Sequence, residues 1–160
     1  MALSAYLKMV GKKSGEVHGS VTQKGREGRI QVIAADHSII APSDPQAGVA
    51  TGKRMHKPFS ITKESDKSSP ILYSMLCTSE LISDWTLQFF AQSANGVETQ
   101  THTVQLTNAL ISDIAFHMPN TKNPDWTRYA EYETISFVYQ KITWTWLDGN
   151  IAASDTWIVP

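Results

Sequence analysis

Hydrophobic and polar residues alternate most regularly near the end of the chain, over residues 132–157. Apolar side chains occupy every second position there, in two sets that differ in phase by one residue: Ile135, Phe137 and Tyr139, then Ile142, Trp144 and Trp146. Alternation with a period of two predicts β-strands with one buried face. Because a one-residue phase shift moves the apolar face to the other side of a sheet, we expect a β-bulge or a bend near Gln140. Asp148-Gly149 follows, and Asp-Gly between two strands predicts a hairpin turn.

Similar alternation predicts short strands along most of the remaining chain, separated by turns rich in glycine, asparagine and proline: residues 5–10, 16–21, 29–40, 55–62, 85–90, 97–106 and 109–118. Asn95-Gly96, between two of these strands, predicts a type I′ hairpin turn. Together with the final hairpin this makes about nine short strands, a pattern that favours a mainly β fold. We therefore expect a β-barrel or β-sandwich of two antiparallel sheets.

One short helix is predicted over residues 70–79, flanking the sheets. Ser69 precedes Pro70, and a serine followed by proline in the first turn is typical of a helix start. The apolar residues of this segment share one face: Ile71, Leu72, Met75 and Leu76. A helix of this length is marginal in isolation, so we expect that face to pack on a sheet.

The alternation is interrupted over residues 41–51, which contain two prolines and a glycine and show no periodicity. This pattern predicts a loop that is long for so small a domain. Long loops in compact domains are usually functional or mobile. Residues 41–51 are therefore a candidate interaction segment.

Composition narrows the possible classes of function. The 160 residues suit a single domain, residues 1–160. Charged residues make up 18% and the formal net charge is −1, which argues against nucleic acid as a partner. Cys77 is the single cysteine, as is typical of synthesis in a reducing compartment. No segment approaches the roughly 20 apolar residues of a membrane span, so we expect no membrane insertion. The first residues also lack the pattern of a signal peptide.

Candidate chemistry is sparse. The five histidines are scattered without metal-ligand spacing, so we expect no metal and no cofactor. Asp36-His37 and the pair Glu64 and Asp66 are more typical of turn caps or surface ion pairs than of catalysis, and we expect no enzyme activity. Two alternatives stay open: a small β-barrel hydrolase with a triad assembled across strands, and a monomeric ligand-binding barrel that uses Trp144 and Trp146.

Three stretches carry a family resemblance. Residues 53–76 contain Arg-x-His-x-Pro-Phe followed by Thr-Lys-x-x-Asp-x-x-Ser-Pro, residues 26–44 begin Arg-Glu-Gly-x-Ile, and residues 139–157 contain Lys-Ile-Thr-Trp-Thr-x-x-Asp-Gly and end in Ser-Asp-x-Trp. In this order the motifs resemble the haemolysin-coregulated protein (Hcp) family, the tube subunit of the bacterial type VI secretion system. The resemblance covers nearly the whole chain.

The resemblance implies a two-sheet barrel similar to phage tail-tube proteins. It also implies homohexameric rings that stack into a tube, with sheath and spike proteins as partners and effector proteins carried in the lumen. The subunit would leave the bacterial cytoplasm for the medium or a target cell without a signal peptide. The segment around residues 42–57 becomes a candidate inter-ring contact, with these residues: Pro42, Asp44, Gly48, Arg54 and His56. Further motif residues are expected to have structural roles: Pro58, Phe59, Pro70, Trp144, Asp148, Gly149 and Trp157.

Overall fold

The computed structural model of the chain describes residues 4–157 and is mainly β. The strands, in chain order, are β1 Ser4–Gly11, β2 Gly15–Glu16, β3 Ile30–Val32, β4 Ala34–Asp36, β5 Ile39–Ile40, β6 Ser43–Asp44, β7 Val49–Ala50, β8 Met55–His56, β9 Phe59–Glu64, β10 Ile82–Gln92, β11 Glu98–Thr107, β12 Leu110–His117, β13 Tyr132–Val138, β14 Lys141–Trp146 and β15 Ile151–Thr156. The helix α1, Ser69–Cys77, lies between β9 and β10, and a 3-10 turn covers Pro124–Trp126. The predicted fold class is confirmed.

Two antiparallel sheets form the body of the molecule. Sheet A has the strand order β15-β14-β11-β10-β1-β2, with β3 also paired to β1, and sheet B has the order β12-β13-β9-β4. A bridge between Ile82 and Ala109 joins the first residue of β10 to the residue before β12. The two sheets do not otherwise merge in the part of the chain described, so a single subunit is an open sandwich rather than a closed barrel.

The phase change near Gln140 marks the point where the chain passes from one sheet to the other. β13 ends in sheet B at Val138 and β14 begins in sheet A at Lys141. Between them the chain bends, and the Gln140 amide donates to the Thr107 carbonyl at 3.1 Å. The predicted bend is therefore confirmed. Residues on both sides of it face the same core, from opposite sheets, which is why the apolar phase has to change.

The core between the sheets is centred on Trp85, which is 1% exposed. Its ring packs edge-on against Phe59 at 5.1 Å and Phe137 at 5.3 Å, both from sheet B. Such aromatic contacts add to the hydrophobic effect of burial. Two of the predicted motif features, Phe59 and the final hairpin, thus contribute to one core.

Helix α1 forms close to the predicted bounds, with Pro70 in its first turn. Leu72 and Met75 are buried, but Ile71 is 37% exposed and Leu76 is only partly buried. The buried face of the helix is therefore narrower than predicted. The helix lies on the outside of the sheets and contacts them along a narrow stripe. Spacing by three residues, as between Leu72 and Met75, is enough for that contact.

A buried ion pair holds the start of this helix against sheet B. Lys63 Nζ lies 3.0 Å from Glu133 Oε2, and both side chains are at most 2% exposed. Ser69 donates its hydroxyl to the same Glu133 oxygen at 3.0 Å, and Asp66 lies 3.1 Å from Lys63 Nζ. Because buried charges require partners, the spacing Thr-Lys-x-x-Asp-x-x-Ser-Pro in this chain's motif has a structural explanation.

Several predicted strand boundaries are wrong. The expected strand over residues 29–40 is divided into β3 in sheet A, β4 in sheet B and β5 outside both, because the chain crosses between sheets at Ile33. The strands expected over residues 16–21 and 55–62 are also shortened or interrupted. Asn95 does not adopt the positive φ of a type I′ turn; only Gly96 does, with φ +76°. The turn instead closes from the Gly96 amide to the Ser93 carbonyl at 2.9 Å.

Truncation of a leucine side chain tests the position of the core. Leu87→Ala removes a side chain with no exposed surface and is expected to lower the free energy of unfolding by about 2–5 kcal/mol. Leu147→Ala removes the same atoms from a turn where the side chain is 41% exposed. This substitution is expected to change the free energy of unfolding by about 0.5 kcal/mol or less. Urea denaturation of both variants measures the difference. Equal losses would contradict this assignment of the core.

Candidate functional site

The segment of residues 37–57 projects from the sandwich as a two-stranded ribbon, which we call the arm. β5 pairs with β8 at its base, and β6 pairs with β7 near its tip. Asp44 organises the tip, because its carboxylate accepts from the Gln46 amide at 2.9 Å and its carbonyl from the Gly48 amide at 2.8 Å. Gly48 adopts φ +65°, a conformation that glycine tolerates best. The prediction of a loop without regular structure is therefore wrong in part, because β6 and β7 form on either side of a turn within it.

Apolar side chains on the arm are left exposed. The exposed fractions are 38% for Ile39, 39% for Ile40, 59% for Val49 and 52% for Met55. Exposed groups of apolar side chains on a small domain commonly mark an interaction surface. The arm therefore has the surface of an element that packs against another molecule.

The base of the arm is held to the end of β15 by an arginine–carboxylate pair. Arg54 donates from Nε and Nη2 to the two carboxylate oxygens of Asp155, at 2.6 and 2.8 Å. The same Nη2 also donates to the Thr156 carbonyl at 3.0 Å. A two-point pair of this kind fixes orientation as well as distance. It therefore sets the direction in which the arm leaves the body.

A chain of hydrogen bonds runs beneath this pair through a buried tyrosine. The Tyr139 hydroxyl lies 2.6 Å from His37 Nε2 and 2.8 Å from His56 Nδ1, and His56 Nε2 lies 2.6 Å from Asp155 Oδ2. A carboxylate only accepts, so His56 donates to Asp155 from Nε2. When the His56 ring is neutral, its Nδ1 accepts from Tyr139, and the tyrosine oxygen then accepts from His37. Each of these three hydrogen bonds then joins one donor to one acceptor.

Aromatic rings cover the hydrogen-bonded cluster on both sides. Trp157 stacks on His56 with ring centroids 5.8 Å apart, and His37 stacks on Phe59 at 5.1 Å. The Trp157 indole N–H donates to the Tyr139 carbonyl at 2.6 Å. We call this group, His37, His56, Tyr139, Asp155 and Trp157 together with Arg54, the anchor. It joins the arm, the bend of the final hairpin and the end of β15.

The environment of the anchor shifts the pKa values of Asp155, His37 and Tyr139. The hydrogen bond from Arg54 lowers the pKa of Asp155, which keeps this carboxyl ionised. Burial lowers the pKa of His37, and nearby His56 adds to that effect. Burial raises the pKa of Tyr139 to about 12, with a further contribution from Asp155. The tyrosine is therefore a neutral hydrogen-bonding group at physiological pH rather than a nucleophile or base.

The structure separates the predicted contact residues into two places. Pro42, Asp44 and Gly48 belong to the outer part of the arm, whereas Arg54 and His56 belong to the anchor. Sequence reasoning missed Tyr139 and Asp155 as partners of these residues, and interpreted His37 as part of a surface ion pair. The Ser-Asp-x-Trp ending was the available signal, since Asp155 and Trp157 both lie in it.

The predicted structural residues are scattered over the body. Pro58 lies at the base of the arm beside Phe59, Trp144 is partly buried at the margin of the core, and Asp148 and Gly149 lie in the turn at the far end of the final hairpin. Gly149 adopts φ +80° there. Their expected structural roles remain predictions.

Within residues 4–157, no three His, Cys, Asp or Glu side chains are placed to hold a metal ion. None of the helices described is both long and apolar enough to cross a membrane.

Comparison with known proteins shows which family the chain belongs to. The family model described as "Type VI secretion system effector, Hcp" matches residues 6–146. The "Major exported protein" of Pseudomonas aeruginosa is 36% identical, over 100% of this chain and 98% of that protein. The chain belongs to the Hcp family.

Solved Hcp structures have the same fold. A structure described as "Crystal structure of Hcp protein" superimposes with a TM-score of 0.92 at 28% identity, covering 99% of this chain and 100% of the other. A mutant of Hcp1 from Escherichia coli EAEC 042 gives 0.85 at 33% identity, covering 98% and 99%. The secreted protein Hcp3 from Pseudomonas aeruginosa gives 0.79 at 29%, covering 99% and 100%. The resemblance stated from the sequence motifs is confirmed.

Removal of one anchor carboxylate tests whether the anchor holds the arm. In this Hcp chain Asp155→Asn weakens the contact with Arg54, so we expect the arm to open more often and trypsin to cleave after Lys53 severalfold faster. Asp148→Asn makes the same chemical change at the other end of the final hairpin and is the control. Mass spectrometry of timed digests measures both rates. Equal cleavage of the two variants would exclude the anchor as the restraint.

The lowered pKa of His37 predicts a dependence of stability on pH. A group with a depressed folded-state pKa contributes stability that is present above its unfolded pKa, here 6.5, and is lost as pH falls through the folded value. The Tm should therefore fall between about pH 7.5 and about pH 5.5, and fall less in His37→Gln. His102, whose pKa burial also lowers, should contribute in the same direction.

Comparison of the wild-type and His37→Gln profiles of Tm against pH measures this contribution. If the His37→Gln and wild-type profiles run parallel throughout this range, the contribution assigned to His37 is wrong.

Proposed function

We propose that this Hcp chain is the structural subunit of a type VI secretion tube. Six copies form a ring, the rings stack into a tube inside the sheath and behind the spike, and effector proteins travel in the lumen. Membership of the Hcp family is the observation that carries this proposal. Export with the tube requires neither a signal peptide nor a disulfide, in agreement with the single cysteine, Cys77.

Open sheet edges support assembly into a ring. β15, the edge strand of sheet A, pairs with β14 alone among the strands described, and its side chains are largely exposed. β12 is an edge of sheet B and pairs with β13. Unpaired edge strands expose backbone donors and acceptors that a neighbouring subunit can bind. A ring requires contacts between two different surfaces of the subunit, and the edges of the two sheets provide them.

The arm supports stacking of one ring on the next. It projects beyond the sandwich, carries exposed apolar side chains at Val49 and Met55, and is oriented by the anchor. A stacking contact needs an element of this kind, which leaves the body in a fixed direction. The arm is therefore the proposed inter-ring contact.

The geometry supports neither a hydrolase nor a monomeric ligand-binding barrel. Tyr139, the buried hydroxyl nearest to histidines, has a raised pKa that disfavours a nucleophilic role. Trp146 is 49% exposed, but one face of its ring stacks on His102, which in turn stacks on Phe89 at 4.1 Å. Trp146 is thus part of a packed aromatic row rather than a free platform for a ligand.

Deletion of the arm tip separates ring formation from stacking. A variant lacking residues 41–49 keeps β5, β8 and the anchor, so we expect hexameric rings but few or no tubes. Light scattering after size-exclusion chromatography gives the ring mass, and negative-stain electron microscopy shows the stacking. Wild-type protein that stays monomeric at micromolar concentration would contradict the ring. Normal tubes from the deletion variant would contradict only the role of the arm.

A further inference from the structure

A groove lined by aromatic and apolar side chains opens near one end of sheet B. Its volume is about 760 Å³, and the residues that matter here are Ile33, Phe116, Met118, Trp126, Tyr129 and Tyr132. Ile33, Phe116, Met118, Trp126 and Tyr129 are each between 47% and 63% exposed. So large an apolar surface left open on a small domain points to a binding partner.

The groove and the arm lie at opposite ends of the same two strands. β9 begins at Phe59, where the arm returns to the body, and runs to Thr62 and Glu64, where the groove lies. β4 runs the other way, from Ile33 in the groove towards the arm, and the Ile33 amide donates to the Thr62 carbonyl at 2.8 Å. Displacement of one copy along these strands therefore brings its arm towards the groove of the next copy.

Charges beside the two surfaces are complementary. A smaller cleft of about 140 Å³ adjoins the groove at Ile33 and is lined by the acidic side chains of Glu64 and Asp66. Glu64 is exposed. The returning strand of the arm carries Lys53 and Lys57, which are also exposed. Asp66 is already paired with Lys63, so, within the residues described, Glu64 is the free acidic group of the two beside the groove. The returning strand of the arm thus combines apolar and basic groups, and the groove has an exposed carboxylate next to its apolar surface.

We propose that the arm of one copy docks into this groove on a second copy in the adjacent ring. Val49 and Met55 occupy the aromatic groove, and Lys53 lies towards Glu64. This contact rests on the proposed function, because it names the surface that receives the arm when rings stack. It joins two different surfaces and does not close on itself, and contacts of that type propagate as filaments.

Repetition of the arm–groove contact around the ring explains how a small contact is sufficient to hold two rings together. A single arm buries too few side chains for a stable dimer on its own. Once one arm of a ring is docked, the remaining arms face their grooves at a high effective concentration. Free subunits therefore stay apart, whereas rings stack.

Cysteine cross-linking between two differently labelled proteins tests the contact. Both proteins carry Cys77→Ser; one has Val49→Cys in the arm and the other Tyr129→Cys in the groove. The substituted side chains are 59% and 63% exposed, so folding should be preserved, and thermal unfolding checks this. Mixed rings are oxidised under conditions where electron microscopy shows stacking. We expect about tenfold more disulfide-linked dimer than in a control mixture, because docking raises the local thiol concentration.

The control mixture replaces the groove cysteine with Val97→Cys, which is 61% exposed in the turn between β10 and β11. Equal dimer yields in the two mixtures, with tubes still visible, would overturn the docking site and leave the tube function intact. Absence of rings in every preparation would overturn both. Charge exchange gives a second measurement. Glu64→Lys in the groove protein should lower the yield of disulfide-linked dimer, and Lys53→Glu in the arm protein should restore that yield.

Discussion

The Tyr139 side chain connects the parts of the molecule that must stay in fixed relation. Its backbone lies at the bend where the chain leaves sheet B for sheet A, and its carbonyl accepts from Trp157 at the end of β15. Its hydroxyl meets His37 and His56 from the two strands of the arm. A buried hydroxyl without hydrogen-bond partners destabilises the folded protein. Movement of the arm away from this position therefore costs about 1–3 kcal/mol. The direction of the arm thus depends on this buried residue as well as on the Arg54–Asp155 pair.

A subunit that assembles has to combine a stable core with surfaces that are unfavourable in isolation. Trp85, Leu87 and their neighbours provide the core between the two sheets. The apolar arm, the aromatic groove and the unpaired edge of β15 face solvent in the single chain. Burial of these surfaces against other copies contributes stability that the monomer lacks, at about 25 cal/mol per Å² of apolar area. Folding and assembly therefore use separate parts of the chain.

Local patterns allowed much of the fold to be predicted. The alternation from Ile135 to Trp146 predicted the strands and the bend at Gln140, because period-two burial is a property of neighbouring residues. Ser69-Pro70 predicted the helix start for the same reason. Residues 29–40 were predicted to form one continuous strand because no glycine or proline marks the point, at Ile33, where the chain crosses between the sheets. The candidate site was predicted only in part: Arg54 and His56 came from the motif, but Tyr139 was assigned to the core alone.

By itself the sequence determined the β class, the positions of the main turns, the helix start and the family. These features depend on residue types and on spacings of a few residues. The tertiary structure decided which distant residues meet. His56 lies 83 positions from Tyr139 and 99 from Asp155, and His37 lies 102 positions from Tyr139. It also decided that Lys63 and Glu133 are buried together and that Ile33 and Tyr129 share a groove. Such contacts follow from strand pairing and sheet packing over the whole chain, which no local pattern specifies.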